Sequence, residues 1–311
     1  MSLHKVGIAQ YSAHYLNLEK SLVRLEQIVE QAASENMELL VFGETWLSGY
    51  PVWLDHCPEV AQWDSAATKA AYLKLRQSSI EIPGRETRRI GALAQKYGMS
   101  IVIGVNEVVK KGRGSGTVYN ALLTFNNQGK LANHHRKLVP TYTERMIYGL
   151  GDGHGLQVAE TSVGNVGALV CWEHWMPLTR QSLHDEAEDI HVAVWPTVHE
   201  EHLIASRQYA FEGRCFVLAA GQMMRASEFP QELSLPEELI NDPDKLVLCG
   251  GSCIIDPRGE FVVDPMYEEE GLVTAEIDLS ERVKEQMTLD VSGHYQRADI
   301  FDFQVDKQRK A

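Results

Sequence analysis

Cys171 closes a run of small and apolar residues, Gly164 to Val170, and is followed by Trp172-Glu173-His174-Trp175-Met176-Pro177. The Gly164-Asn165 pair reads as a turn, and the run after it as a short buried strand. Pro177 reads as the first turn of a helix with Leu178 to Glu188 beyond it, where a missing N–H costs nothing. Cys171 is therefore expected on a strand-to-helix corner, where neighbouring N–H groups and the helix dipole favour a thiolate. It also fits as a small buried hydrophobe, so its companions decide. Glu44 follows the apolar run Glu38 to Phe42, and Lys137 lies in the charged segment His134 to Arg145. Each has a bland alternative, a local cap or ion pair for Glu44 and a solvated loop for the Lys137 segment. Together they make chemical sense. A thiolate nucleophile needs a nearby cation and a base to take its proton. A carboxylate among Trp46, Tyr50 and Trp53 would have its pKa raised into the range of a general base. A lysine can hold the charge that develops on the attacked atom.

These groups need elements to position them. Lys5 to Gln10 reads as a strand, Asn17 as the cap of a helix carrying Leu18, Leu22, Leu25, Val29 and Ala32, and Glu38 to Phe42 as a strand buried on both faces. Such a unit implies a parallel pair with a right-handed crossover. A helical region is expected over 59–79 and an amphipathic helix over 85–97, closed by Gly98. Residues 100–109 and 117–126 read as antiparallel strands, and the segment from His134 as the loop that ends them. Beyond Cys171, strands are expected at 189–194, 216–221, 250–255, 260–263 and 272–277, with a helix over 201–214. Residues 227–245 read as an acidic surface excursion. Ser280 reads as the cap of a short helix, and residues from about 288 as an extended tail. Strands alternate with helices and no composition break divides them, so residues 1–311 read as one α/β domain. Ligands in open α/β sheets collect at the carboxyl ends of strands, where the three groups fall.

The chain has 311 residues, 44% of them hydrophobic, which is ample for a large core. Its 43 acidic and 29 basic residues leave a net charge of −14, which repels nucleic acid and anionic membrane surfaces. The five cysteines (57, 171, 215, 249, 253) are odd in number and contain no C-x-x-C pair, which argues against a disulfide framework or structural zinc. Met1-Ser2-Leu3-His4-Lys5 passes directly into a strand without an apolar signal region, and no run is long enough to span a membrane. A soluble protein of a reducing compartment, the cytoplasm, is expected.

Three segments carry a resemblance: FGETWLSGYP around Glu44, HRKLVPTYTER around Lys137 and GALVCWEHWMP around Cys171. In this order and spacing they resemble the nitrilase (carbon–nitrogen hydrolase) superfamily, most strongly its nitrile-cleaving branch. The likeness runs from KVGIAQ to the Ser292–Asp299 segment. It implies a four-layer α-β-β-α sandwich, a homo-dimer or larger homo-oligomer, and no cofactor or metal. It implies Glu44 as general base and acid, Lys137 as electrostatic stabiliser and Cys171 as nucleophile. Glu144 matches a second family glutamate that orients Lys137 or the hydrolytic water, and the Trp172 N–H would help hold the developing charge. Gly43 stands where the family commonly has Pro, and His174-Trp175 where Asn-Tyr or His-Tyr is more usual. The chain stops soon after Phe303, whereas many relatives carry a longer tail that supports spiral filaments, so filaments are not expected.

The expectation is hydrolysis of a small-molecule nitrile by water to a carboxylate and ammonia, through a thioimidate and a thioester. Trp172, Tyr50, Trp195 and Tyr142 are candidate substrate-binding residues, with core packing as their alternative. An amidase, carbamoylase or cyanide-hydrolysing member stays open, distinguished by turnover of amides. So does a non-catalytic assembly or binding protein on the same scaffold, which the presence of Glu44, Lys137, Glu144 and Cys171 together argues against. His199-Glu200-Glu201-His202 lacks the i, i+4 spacing of a zinc-hydrolase helix, and neither His174 nor His294 lies in a protease-type motif.

Overall fold

The computed structural model describes residues 3–310. Met1, Ser2 and Ala311, and with them the start of the expected direct entry into a strand, lie outside the described residues. The first half runs β1 (Leu3–Gln10), α1 (Leu18–Ser34), β2 (Leu39–Phe42), α2 (Trp53–His56), α3 (Ala66–Gln77), α4 (Arg85–Tyr97), β3 (Ser100–Val108), β4 (Val118–Phe125) and β5 (Leu131–Arg136). The second runs β6 (Ala159–Thr161), β7 (Gly164–Val170), α5 (Pro177–His184), β8 (Ile190–Val194), α6 (Glu200–Gly213), β9 (Phe216–Ala220), β10 (Met223–Arg225), α7 (Glu237–Asn241), β11 (Leu246–Ile255) and β12 (Phe261–Tyr267). β13 (Gly271–Asp278) returns to the first sheet, and α8 (Ser280–Glu285) follows it.

The sheets share one plan. β1, β2 and β3 are parallel and extended by antiparallel β13 on one side and β4-β5 on the other. β7, β8 and β9 are parallel and flanked by antiparallel β6 and β11. The parallel strands β2, β8 and β9 are buried throughout, because helices cover one face and the opposite sheet the other. Val6, Ile8, Val41 and Val102 of the first sheet share one core with Leu169, Val192 and Leu218 of the second, and that core continues to Leu183 of α5 and Tyr209 of α6. On the outer side of the first sheet, Leu22, Leu25 and Val29 of α1 and Ile90 and Ala94 of α4 pack on Leu40, Phe42, Ile101 and Ile103. The result is a four-layer α-β-β-α sandwich.

Local signals explain the helix ends. Asn17 accepts the Lys20 N–H at the start of α1, and Gly98, with φ of +62°, closes α4. Four expectations need correction. The helix over 59–79 shrinks to α3, which starts where the Ser65 hydroxyl accepts the Thr68 N–H. His134 to Arg136 belong to β5 rather than to a loop, because β4 supplies an antiparallel partner. The acidic segment 227–245 is not a mere surface excursion. It buries Phe229, Leu233 and Leu239 in a third core with Val52, Trp53 and Leu54. Ser280 does not cap α8; the Asp278 carboxylate accepts its N–H instead, at 2.9 Å. After α8 the described chain forms turns and then runs without helix or strand, and Arg309 pairs with Asp152 at 3.0 Å.

Candidate active site

Lys137 directly follows β5, Cys171 directly follows β7, and Glu44 lies just beyond β2. Two sheets therefore supply one site, at the seam where their strand ends meet. Glu44 and Lys137 come from the first sheet and Cys171 from the second. The Lys137 Nζ donates to Glu44 Oε1 at 3.0 Å and to both carboxylate oxygens of Glu144 at 2.8 Å. All three side chains are buried, the only setting in which such close charge pairing strongly fixes geometry. Tyr50 Oη donates to Glu144 Oε1 at 2.7 Å, and the Thr141 N–H donates to its Oε2 at 2.9 Å. Asn120 Nδ2 donates to Glu44 Oε1 at 2.7 Å. Glu44 Oε2 has no protein partner among the described residues, which leaves it open to exchange a proton.

Cys171 adopts a φ of +54°, a conformation uncommon for a residue with a side chain. It opens a single 3-10 turn, Cys171–Trp175, and α5 begins only at Pro177. The expected helix N-terminus therefore does not serve the thiol. The turn is tied down by its own side chains instead. Glu173 Oε2 accepts the Val170 N–H at 2.7 Å, and His174 Nδ1 donates to the Cys171 carbonyl at 2.6 Å.

Electrostatics follow from this burial. Desolvation raises the Glu44 carboxyl to about 7, against the pull of Lys137 and with a push from Glu144. Burial works against the Lys137 ammonium, but Cys171 when ionised, Glu44 and Glu144 outweigh it, so its pKa is raised and it stays charged. Burial pushes the Cys171 thiol well above its usual value and Glu44 and Glu144 push the same way, while Lys137 and the Trp172 N–H pull it down. The free site therefore holds a thiol beside a titratable carboxylate, not the preformed thiolate expected from the sequence. Attack by sulfur must be coupled to proton transfer onto a base.

A cleft of about 240 Å³ has Tyr50, Glu144, Cys171, Trp172, His199 and His202 among its walls, whereas Glu44 and Lys137 are buried and do not line it. Of the four aromatic residues considered for substrate binding, Tyr50 and Trp172 line it, and Trp172 is 56% exposed at its mouth. Trp195 does not. It is fully buried, stacked on His202 with ring centroids 4.4 Å apart and packed 4.6 Å from His174, because its strand end turns into the core behind the cysteine turn. Tyr142 is 80% exposed and does not line the cleft either; Thr141 lines the wall there.

Two supporting residues escape a sequence reading. Asn120 is a buried polar residue within the largely apolar β4, and its carbonyl accepts the Lys137 N–H at 2.8 Å. A buried polar residue inside a strand was the available signal. Gln222 follows β9, and its Nε2 donates to the Glu44 carbonyl. A Cβ at Gly43 would fall 2.5 Å from Gln222 Cγ, so the missing side chain before Glu44 makes room for the residue that holds it.

The carbon–nitrogen hydrolase family model matches residues 5–284. Nitrilase 3 of Arabidopsis thaliana is 36% identical over 312 residues, covering 98% of this chain and 88% of that protein. The aliphatic nitrilase of Sinorhizobium fredii (strain HH103) is 32% identical over 311 residues, covering 100% of this chain and 98% of that protein. The crystal structure of Saccharomyces cerevisiae Nit3, a member of branch 10 of the nitrilase superfamily, shares the fold with a TM-score of 0.71 at 19% identity, covering 95% of this chain and 97% of that one.

Proposed function

This chain belongs to the carbon–nitrogen hydrolase family, and from that premise we propose that it is a nitrilase, converting an organic nitrile and two waters into a carboxylic acid and ammonia. The observation that carries the reading is that Lys137 is held between Glu44 and Glu144, that all three act electrostatically on the Cys171 thiol, and that Cys171 and Glu144 line one cleft. Similarity to nitrilases over nearly the whole chain supports the nitrile as substrate.

The steps follow from the charges. Glu44 takes the Cys171 proton as sulfur adds to the nitrile carbon, and returns it to nitrogen, leaving a thioimidate. Glu44 then takes a proton from water as the hydroxyl adds to the same carbon. The nitrogen gains that proton to become an amino group on a tetrahedral carbon. The hydroxyl proton then passes through Glu44 to the nitrogen, the C–N bond breaks, ammonia leaves and a thioester carbonyl remains. A second water, deprotonated by Glu44, adds to the thioester; the C–S bond breaks, the acid departs and the thiol recovers its proton. Lys137 stays charged throughout and, with the Trp172 N–H, stabilises each anionic stage. Glu144 fixes Lys137 through both of its carboxylate oxygens. A carboxyl with a pKa of about 7 suits a group that must alternate between base and acid near neutrality.

The chain acts as one domain and as a homo-oligomer. Leu178 of α5 and Ile204 and Phe211 of α6 expose apolar side chains on the outer face of the second sheet's helices, which supports such an assembly. No described helix is long and apolar enough to cross a membrane. The five cysteines are free, in keeping with a reducing compartment such as the cytoplasm.

The experiment is ammonia release from aliphatic, aromatic and arylaliphatic nitriles, each beside its matching amide. Acid and ammonia from nitriles, with little turnover of the amides, is the expected result. Amide hydrolysis with inert nitriles would replace the nitrilase reading with an amidase.

A further inference from the structure

Behind the cysteine turn, four buried side chains that take no part in the steps above form a continuous polar chain. His174 Nδ1 donates to the Cys171 carbonyl at 2.6 Å, and its Nε2 lies 2.9 Å from His191 Nε2. His191 Nδ1 lies 2.5 Å from Glu188 Oε1, and Glu188 Oε2 accepts the Tyr209 hydroxyl at 2.7 Å. None of the four is more than 2% exposed. Space is reserved for the chain: a Cβ at Gly167 of β7 would fall 1.8 Å from Glu188 Oε1. The His191 ring stacks on Tyr209 of α6 with centroids 3.6 Å apart.

The direction of its hydrogen bonds follows from one end. The Cys171 carbonyl can only accept, so His174 Nδ1 carries a proton. The neutral His174 ring then accepts at Nε2, and His191 must donate there from its own Nε2. His191 Nδ1 and Glu188 Oε1 share the last proton. Burial holds His174 down to about 3 and His191 well below its usual value, and raises Glu188 to about 7, shifts that all favour that proton on Glu188. Every donor in the chain points towards Cys171.

The carbonyl at the end of the chain belongs to the same peptide group as the Trp172 N–H, which pulls the Cys171 thiol down against burial. A hydrogen bond accepted by a peptide oxygen polarises that peptide and strengthens its N–H as a donor. The peptide is also one whose preceding φ is strained, at +54°. We propose that Glu188, His191 and His174 are positioning residues which hold and polarise the Cys171–Trp172 peptide, so that its N–H is aimed at the anion formed during attack. None of the three touches the substrate. The inference rests on Cys171 being the nucleophile.

The test compares His174→Phe, which removes the donor to the carbonyl, with His174→Asn, whose side-chain amide can replace Nδ1. Steady-state kcat and KM are measured on whichever nitrile or amide the wild-type enzyme turns over, together with Tm. The expected result is a kcat lower by roughly 30-fold or more in His174→Phe, as for loss of an anion-stabilising donor, with KM changed less than about threefold. His174→Asn should recover most of that kcat even where its Tm does not recover. If His174→Phe does not fold, Glu188→Leu and Glu188→Gln replace the pair. The amide of Gln can still donate to His191 and accept from Tyr209, so Gln should recover kcat and Leu should not. Equal kcat in His174→Phe and wild type, or losses that follow Tm alone in either pair, would overturn the proposal. Full turnover by Cys171→Ala would instead remove the nucleophile reading beneath it, so the two failures are distinct.

Discussion

Glu173 Oε1 accepts the backbone N–H of Leu138 at 2.7 Å, across the seam between the two sheets. Its other oxygen accepts the Val170 N–H, and His135 Nε2 lies 3.0 and 2.9 Å from the two oxygens. One carboxylate thus joins the residue after Lys137 to the residue before Cys171. The distance between cation and nucleophile depends on this tie, although Glu173 does not line the cleft.

Glu173→Leu is therefore expected to cost roughly 3 kcal/mol of stability, since it orphans the buried Val170 N–H, the part-buried Leu138 N–H and a buried imidazole. Denaturant unfolding measures this. Burial works against the Glu173 charge, but His135 and the two N–H groups outweigh it and hold its carboxyl below the usual range. Its folded pKa is depressed, so its contribution is complete above the unfolded carboxyl value and is lost as pH falls through the folded one. Glu173→Gln should accordingly flatten the acid limb of the stability–pH curve.

Glu44 must be ionised to take the thiol proton, and its carboxyl is raised to about 7. The kcat/KM of the wild-type enzyme should rise with pH through that region and then level. Glu44→Gln should lower kcat by about 10²-fold or more and abolish that limb. A pH profile of both enzymes checks the pair of statements.

Lys137→Met removes the cation between two carboxylates. Glu44 loses its main acid-strengthening neighbour while Glu144 still pushes its pKa up. Turnover should fall by about 10²- to 10³-fold. The acid limb of the residual activity should move to higher pH, and a shift to lower pH would contradict the charge arrangement described.

A cleft of about 240 Å³ admits compact nitriles. Phenylacetonitrile should be preferred to diphenylacetonitrile in kcat/KM. Trp172→Ala, which removes the indole at the mouth, should narrow that preference by roughly tenfold.

Much of the frame was legible because it is written locally. Continuous apolar runs mark β2 and β9, β8 is apolar apart from His191, and Asn17 and Gly98 mark helix ends. The charged segment around Lys137 carried no local sign that His134 to Arg136 form a strand, because that strand exists only through β4. The aromatic residues were ambiguous for a related reason. Residue type does not say which way a strand end turns, and Trp195 faces the core while Trp172 faces the cleft. Asn120 and Gln222 act through partners distant in sequence, and the two halves of the Glu188–His191–His174 chain meet only through the His174–His191 contact between different elements, so no spacing rule exposes them. The thiol's protonation is a property of the assembled site. Burial and two acids reverse what the strand-to-helix corner suggested.

The most direct measurement is the intact mass of the enzyme quenched in acid during turnover of a nitrile, followed by peptide mapping. The account predicts an added acyl or imidoyl group on the peptide that contains Cys171, and neither adduct nor turnover in Cys171→Ala. An enzyme that hydrolyses nitriles without any adduct, and continues to do so after Cys171→Ala, would contradict it.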